Sequence, residues 1–155
     1  MALRSIRVEG DPDLLKKSRP VEKFDHRLEM LIEDMFDTMY DAEGCGLAAV
    51  QVGVLRRVVV IDTGEKGERL VLINPQIVAA EGEEHEAEGC LSIPGKRGIV
   101  CRPAKVTVKA LNEKGEEYTR TGTGLLARAM CHEIDHLDGI LYSQKVEKWL
   151  APGEA

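Results

Sequence analysis

The chain has 155 residues, of which 43% are hydrophobic, 31% charged and only 4% aromatic, and this composition predicts a globular protein with a mostly aliphatic core. We expect residues 1–155 to form a single domain. The net charge is −6 and the basic residues are scattered, which argues against a dedicated nucleic-acid-binding protein. No signal peptide opens the chain and no apolar run approaches the roughly 20 residues of a membrane helix, so we expect a cytoplasmic protein with no membrane contact.

The first predicted element is an amphipathic helix that Asp25 can cap. Its apolar residues recur at three- and four-residue spacing, and Gly44 and Gly46 end the pattern. Strands are predicted at residues 57–61 and 70–73, joined by a polar turn at 63–69. Asn74 and Pro75 are expected to end the second of these strands.

The second half of the chain alternates between polar turns and short apolar runs. The acidic segment 81–88 is expected to be a solvated loop or a sheet edge, and strands are predicted at 99–101, 106–111 and 116–121, the last two joined by a hairpin turn. Helical spacing returns at residues 124–137, and the tail after Trp149 is expected to fray. This order predicts an α+β fold in which antiparallel β-sheets pack around a central helix near the C-terminus.

The second helix carries the pattern H-E-x-x-H, from His132 to His136. In a helix, two residues four apart lie about 40° apart on successive turns, so both imidazoles can reach one metal ion. Glu133 then lies about 100° round from His132, near the ion without binding it. Chance occurrence of two histidines at this spacing is the alternative reading.

Two histidines do not complete a catalytic metal site, which normally has three protein ligands and one open position. Tyr142 stands where one class of metalloproteases has a third histidine, so we expect the third ligand upstream. The candidates are Cys45, His85, Cys90 and Cys101. Cys90 follows Gly89 and would give a Cys-His-His set suited to a first-row divalent metal, but spacing alone does not separate it from Cys101 or from a buried inert thiol.

Three segments together resemble the signature motifs of the peptide deformylase family, in the same order. They are Gly44-Cys45-Gly46-Leu47-Ala48-Ala49-Val50-Gln51, Glu88-Gly89-Cys90-Leu91-Ser92 and His132-Glu133-Ile134-Asp135-His136. The likeness spans roughly residues 4 to 150. It implies a single catalytic domain that removes the formyl group from the N-terminal formyl-methionine of newly made bacterial polypeptides and releases formate.

The resemblance also implies roles for individual residues. Cys90, His132 and His136 would bind one divalent metal ion, with Fe²⁺ as the usual physiological metal and Zn²⁺, Ni²⁺ or Co²⁺ able to replace it. Glu133 would be the general acid/base, and Gln51 with the backbone N–H of Leu91 would stabilise the oxyanion. The partners it implies are N-formylmethionyl nascent peptides, with transient contact at the ribosome.

Further positions are expected to meet the substrate. The resemblance implies that an apolar pocket for the methionine side chain is lined by Cys45, Gly46, Gly89 and Ala129. Glu88 and Arg97 either position a loop or the peptide backbone, or are simply surface charges. Two motif positions depart from the family's usual residues: Val50, where proline or threonine is common, and Cys131, where glutamine is usual.

Two other functions compete with this interpretation. A general zinc endopeptidase shares the H-E-x-x-H pattern, but it needs a third ligand that the residues after His136 do not supply. A non-catalytic structural metal site normally has four protein ligands, whereas this sequence offers three and an adjacent carboxylate.

Overall fold

Helix α1 (His26–Asp41) begins at the predicted cap. The carboxylate of Asp25 accepts a hydrogen bond from the backbone N–H of Leu28 at 3.1 Å, which satisfies one of the free donors of the first turn. The apolar face that the spacing predicts is buried, including Met35 and Met39. The structure, a computed structural model, describes residues 2–65 and 69–152.

Eight strands form two antiparallel sheets within the described residues. The larger sheet has the order β1-β2-β3-β6-β7 and the smaller one the order β4-β5-β8. The strand bounds are β1 Gly46–Ala48, β2 Val58–Ile61, β3 Leu70–Glu81, β4 Glu84–Cys90, β5 Ile93–Arg102, β6 Lys105–Leu111, β7 Glu117–Thr123 and β8 Val146–Trp149.

Helix α2 (Gly124–Leu137) packs on one face of the larger sheet and α1 on the other. The sequence of β2 is continuously apolar because both faces of the strand are buried. Val59 and Ile61 join the core beneath α2, and Val58 and Val60 join the core beneath α1. The α+β prediction, with antiparallel sheets and a central helix near the C-terminus, is confirmed. No described helix is long and apolar enough to cross a membrane.

The prediction that Asn74 and Pro75 end the strand is wrong, because β3 continues to Glu81. The ladder between β3 and β6 shifts register between Ile73 and Gln76, so the irregular residues interrupt the pairing without ending it. Asn74 adopts a positive φ of 50°. Its side chain also accepts a hydrogen bond from Val21 N–H at 2.8 Å and donates one to Val21 O at 3.0 Å.

Of the two alternatives predicted for the acidic segment 81–88, a solvated loop or a sheet edge, the sheet edge is confirmed, because most of the segment is strand β4 at one edge of the smaller sheet. Strand β8 was not predicted: it is mostly exposed and has no clear apolar alternation, yet it pairs with β5. Of the predicted turn at 63–69, residues 66–68 lie outside the described part of the chain.

Replacing Asn74 tests what stabilises β3 at the shift of register between Ile73 and Gln76. Asn74→Ala removes two hydrogen bonds, worth about 0.5–1.5 kcal/mol each, and forces alanine into the left-handed region at about 1–2 kcal/mol. We expect a loss of about 2–5 kcal/mol in the free energy of unfolding, measured with urea. Asn74→Gly loses the same hydrogen bonds but tolerates the backbone, so it should be about 1 kcal/mol more stable than the alanine variant. Equal stability of the two variants would contradict the role given to the backbone.

Candidate metal centre

Helix α2 carries the H-E-x-x-H residues on its buried side. His132, Glu133 and His136 are 7%, 6% and 0% exposed. The two imidazoles lie one turn apart, and their Nε2 atoms are 3.2 Å from each other. The helix therefore brings two potential ligand nitrogens to the same place, as the spacing predicts.

Cys90 lies at the end of β4, where the pairing with β5 shifts register between Glu88 and Cys90. Its Sγ is 3.4 Å from Nε2 of His136. One ligand atom from each of Cys90, His132 and His136 lies within 4.8 Å of the other two. The structure thus brings together the three residues that the family resemblance nominated, and their role as ligands stays a prediction.

The donor set fits a divalent transition metal. With bonds of about 2.0–2.3 Å to nitrogen and sulfur, tetrahedral ligand atoms lie about 3.4 Å apart, close to the 3.2 and 3.4 Å found here. Nδ1 of His132 donates a hydrogen bond to Oε1 of Glu88 at 2.8 Å, so in the neutral imidazole Nε2 carries the lone pair. Burial by itself would lower the pKa of His132, but Glu133, Cys90 and Glu88 raise it to about 10, so this ring must release a proton to bind a metal. Burial and the charges of His132 and Arg102 lower the pKa of His136, which favours its neutral form.

Glu133 lies beside the three candidate ligands. Its Oε2 is 4.0 Å from Nε2 of His132, and its Oε1 is buried without a hydrogen-bond partner among the described residues. Burial raises the pKa of Glu133 to about 7, although the positive charge of His132 opposes the shift. A carboxyl group with this pKa can both accept and release a proton near neutrality.

Gly46 gives this carboxylate its space. A Cβ at residue 46 would lie 2.8 Å from Oε2 of Glu133, so a larger residue would displace the acid. Strand β1 thereby holds the backbone of the first motif against α2.

Both the oxygen and the nitrogen of the Gln51 side-chain amide form hydrogen bonds. Oε1 accepts a hydrogen bond from Ala48 N–H at 2.9 Å, and Nε2 donates one to Ser92 Oγ at 3.0 Å. Nε2 also lies 3.7 Å from Sγ of Cys90, which places an oriented N–H donor next to the candidate ligands. The side chain is 1% exposed, so water does not compete for it.

A cavity of about 790 Å³ opens beside these residues. Every residue predicted to meet the substrate lines it, together with Leu91, Cys90, His132 and Glu133. The predicted set is Cys45, Gly46, Glu88, Gly89, Arg97 and Ala129. Arg97 is exposed at the cavity wall, and its carbonyl accepts a hydrogen bond from Leu150 N–H at 2.9 Å.

Glu88 is not a surface charge, because its side chain is only 4% exposed. Besides His132, it accepts hydrogen bonds from Arg102 at 2.7 and 3.0 Å and from Arg128 at 2.6 Å. Burial by itself would raise the pKa of Glu88, but the hydrogen bonds from His132 and Arg102 and the charge of Arg102 outweigh it and lower the pKa to about 2. The carboxylate is therefore ionised and can only accept.

Sequence reasoning missed the two arginines. Arg102 also donates to Oδ2 of Asp135 at 2.7 Å, and Arg128 also donates to the carbonyls of Val100 and Glu84. The position of Arg128, four residues before His132 on the helix, was the available signal, since it faces the same side. Arg102 gave no local signal, because only the fold brings β5 to α2.

The other sequence candidates lie apart from this centre or play a packing role. His85 and Cys101, two of the possible third ligands, form a separate group with Glu83. The atypical Val50 and Cys131 are both buried in the core between α2 and the larger sheet.

Removing the Glu88 carboxylate should strongly destabilise the metal-free protein. Glu88→Ala leaves Arg102 and Arg128 buried without their shared anion, and breaking such a buried pair typically costs about 3–5 kcal/mol. We expect this loss in the free energy of unfolding measured by urea titration. Glu86→Ala, an exposed residue on the same strand, should change it by less than about 0.5 kcal/mol. A loss of similar size in both variants would contradict the account.

Comparison with known proteins identifies the family. The family model for polypeptide deformylase matches residues 3–150. Peptide deformylase 1 of Clostridium acetobutylicum is 58% identical over 146 residues, covering 94% of this chain and 96% of the relative. The peptide deformylase of Acetivibrio thermocellus is 56% identical, covering 99% of this chain and 89% of the relative.

Solved structures agree. The peptide deformylase of Legionella pneumophila superposes with a TM-score of 0.91 at 51% identity, covering 97% of this chain and 88% of that one. The Thermotoga maritima peptide deformylase gives a TM-score of 0.91 at 40% identity, covering 95% and 99%. The chain therefore belongs to the polypeptide deformylase family.

Proposed function

We propose that this protein is a metal-dependent peptide deformylase that hydrolyses the N-formyl group of formyl-methionyl polypeptides and releases formate. The family membership supports the reaction, since its relatives at 58% and 56% identity are named peptide deformylases. The observation that carries the assignment of the site is the convergence of Cys90, His132 and His136 beside the unpartnered carboxylate of Glu133.

We assign the metal to Cys90, His132 and His136, and Fe²⁺ to the site in the cell, with Zn²⁺, Ni²⁺ and Co²⁺ as possible substitutes. A thiolate and two neutral imidazoles suit these first-row ions. When bound, such an ion supplies Lewis acidity, which polarises a carbonyl group and makes water a stronger nucleophile near neutral pH. Three protein ligands leave a position open for chemistry, as catalytic sites require.

Glu133 moves the proton. Its carboxylate accepts a proton from the water that attacks the formyl carbon, and then gives it to the nitrogen of the departing amine as the C–N bond breaks. The products are formate and a free N-terminus. Its buried position beside the ligands, and a pKa near 7, suit both transfers.

Gln51 and Leu91 stabilise the negative charge that develops on the formyl oxygen. The amide of Gln51 is already oriented by Ala48 and Ser92, so it needs little reorganisation during the reaction. Loss of one such donor typically lowers the rate about 10²–10³-fold. The backbone N–H of Leu91, next to Cys90, is the second donor in this assignment.

The cavity receives the methionine side chain. Cys45, Gly46, Gly89 and Ala129 contact this side chain in this assignment, and Arg97 at the cavity wall holds the peptide backbone. Glu88 positions His132 through their hydrogen bond. We further propose that residues 1–155 act as one catalytic domain in the bacterial cytoplasm. The domain acts on nascent chains at the ribosome and binds no nucleic acid itself.

Replacing Glu133 tests the acid/base assignment. Glu133→Gln keeps the shape of the side chain but cannot take up a proton, so release of formate from formyl-Met-Ala-Ser should fall at least about 10²–10⁴-fold while metal content stays at the wild-type level. Cys90→Ala should lose both metal and activity, whereas Cys45→Ala, a cysteine in the same cavity, should keep the metal.

The assay also tests the competing functions. Casein and an N-acetylated peptide should both remain uncut. An endopeptidase would cleave casein, whereas a deformylase would not. Near-normal formate release by Glu133→Gln would refute the role of that residue. Full metal content in Cys90→Ala would show that the third ligand is another residue.

A further inference from the structure

A second group of metal-ligating side chains lies on the smaller sheet, away from the catalytic cavity. His85 on β4 is directly opposite Cys101 on β5, so their side chains leave the same face of the sheet. Glu83 immediately precedes β4, and Glu147 comes from β8. Three adjacent strands thus bring one imidazole, one thiol and two carboxylates together.

The distances within this group suit a bound cation. One ligand atom from each of Glu83, His85 and Cys101 lies within 4.8 Å of the other two. Nε2 of His85 is 3.6 Å from a carboxylate oxygen of Glu83. Ligand atoms around a tetrahedral ion with bonds of about 2.0–2.3 Å are about 3.4 Å apart, so little movement is needed for both to bind the same ion.

The other nitrogen of His85 is already held. Nδ1 lies 2.7 Å from Oε1 of Glu147, and since a carboxylate can only accept, Nδ1 carries the hydrogen. In the neutral ring Nε2 then has the free lone pair, on the side of Glu83. His132 shows the same arrangement, with Glu88 on its Nδ1 at 2.8 Å. A carboxylate on the far nitrogen is the usual support of a metal-binding histidine.

We propose that Glu83, His85 and Cys101 form a second metal site that binds Zn²⁺, in which Glu147 orients His85. Mixed oxygen, nitrogen and sulfur donors in a tetrahedral arrangement are those that zinc accepts, and the thiolate disfavours Mg²⁺ and Ca²⁺. Binding replaces the S–H bond of Cys101 by a Zn–S bond, and the proton passes to the solvent.

The surroundings support a cation here. The carboxylates of Glu83 and Glu147 both lie close to His85 and place negative charge at the group, which favours a bound cation. The side chains of His85, Glu83 and Glu147 are 51%, 74% and 47% exposed, which leaves the site open to ions from solution. Three ligands within a surface group leave room for water at the fourth position.

The second site is independent of the proposed function. Cys101 leaves the sheet on the face opposite to its neighbour Arg102, which points to Glu88 and α2. An ordinary surface ion pair between His85 and Glu147, joining β4 to β8 without any metal, is the competing explanation. It predicts no zinc binding and no role for Cys101.

The test measures binding of added ions to the purified metalloprotein, with its catalytic site already loaded. We expect calorimetry to show one further equivalent of Zn²⁺, and added Co²⁺ to give a thiolate-to-metal charge-transfer absorption. His85→Ala and Cys101→Ser should each abolish both signals. Release of formate should remain at the wild-type rate in both variants, since neither side chain lines the catalytic cavity.

Matched controls come from residues of the same type elsewhere. His26→Ala, an exposed histidine on α1 that also has a glutamate near it, and Glu86→Gln, one residue along β4, should bind the second equivalent normally. Absence of a second equivalent in the wild type would overturn the proposal, as would normal binding by Cys101→Ser or His85→Ala. A failed deformylation assay with a retained second equivalent would instead count against the proposed function alone.

Discussion

The candidate metal centre depends on the hydrogen bonds that the buried carboxylate of Glu88 accepts. This carboxylate belongs to the smaller sheet, and it accepts hydrogen bonds from Arg128 and His132 on α2 and from Arg102 on β5. Hydrogen bonds from His132 and Arg102 and the charge of Arg102 keep it ionised in a buried place, and an ionised carboxylate fixes the tautomer of the imidazole that it contacts. One anion thereby joins two elements of the fold and sets the direction of a lone pair.

The two sheets contribute different parts of the site because each meets α2 in a different way. The larger sheet packs beneath the helix through aliphatic side chains and brings Gly46 next to Glu133. The smaller sheet meets the helix through charged groups and ends β4 in a register shift that turns Cys90 toward His136. Aliphatic packing against the larger sheet therefore holds α2 in place, and charged contacts with the smaller sheet orient the candidate ligands.

Local patterns in the sequence predicted the elements that have strong periodicity. Both helices, the apolar strands and the HExxH pair were predicted because spacing alone determines which residues share a face. The continuation of β3 past Asn74 was not, since it depends on pairing with β6, which is distant in sequence. Cys90 could not be separated from Cys101 by spacing, and only the likeness to a family favoured it. Arg102 escaped notice because its partners are distant in sequence and meet only in the folded chain.

The most direct test of this account is a crystal structure of the metal-loaded protein, with anomalous scattering recorded at the absorption edge of the bound metal. We expect an anomalous peak at bonding distance from Sγ of Cys90 and from Nε2 of both His132 and His136, with a solvent-accessible fourth position facing the carboxylate of Glu133. An ion at this centre that Cys90 does not bind, or a fourth protein side chain closing the coordination, would contradict it.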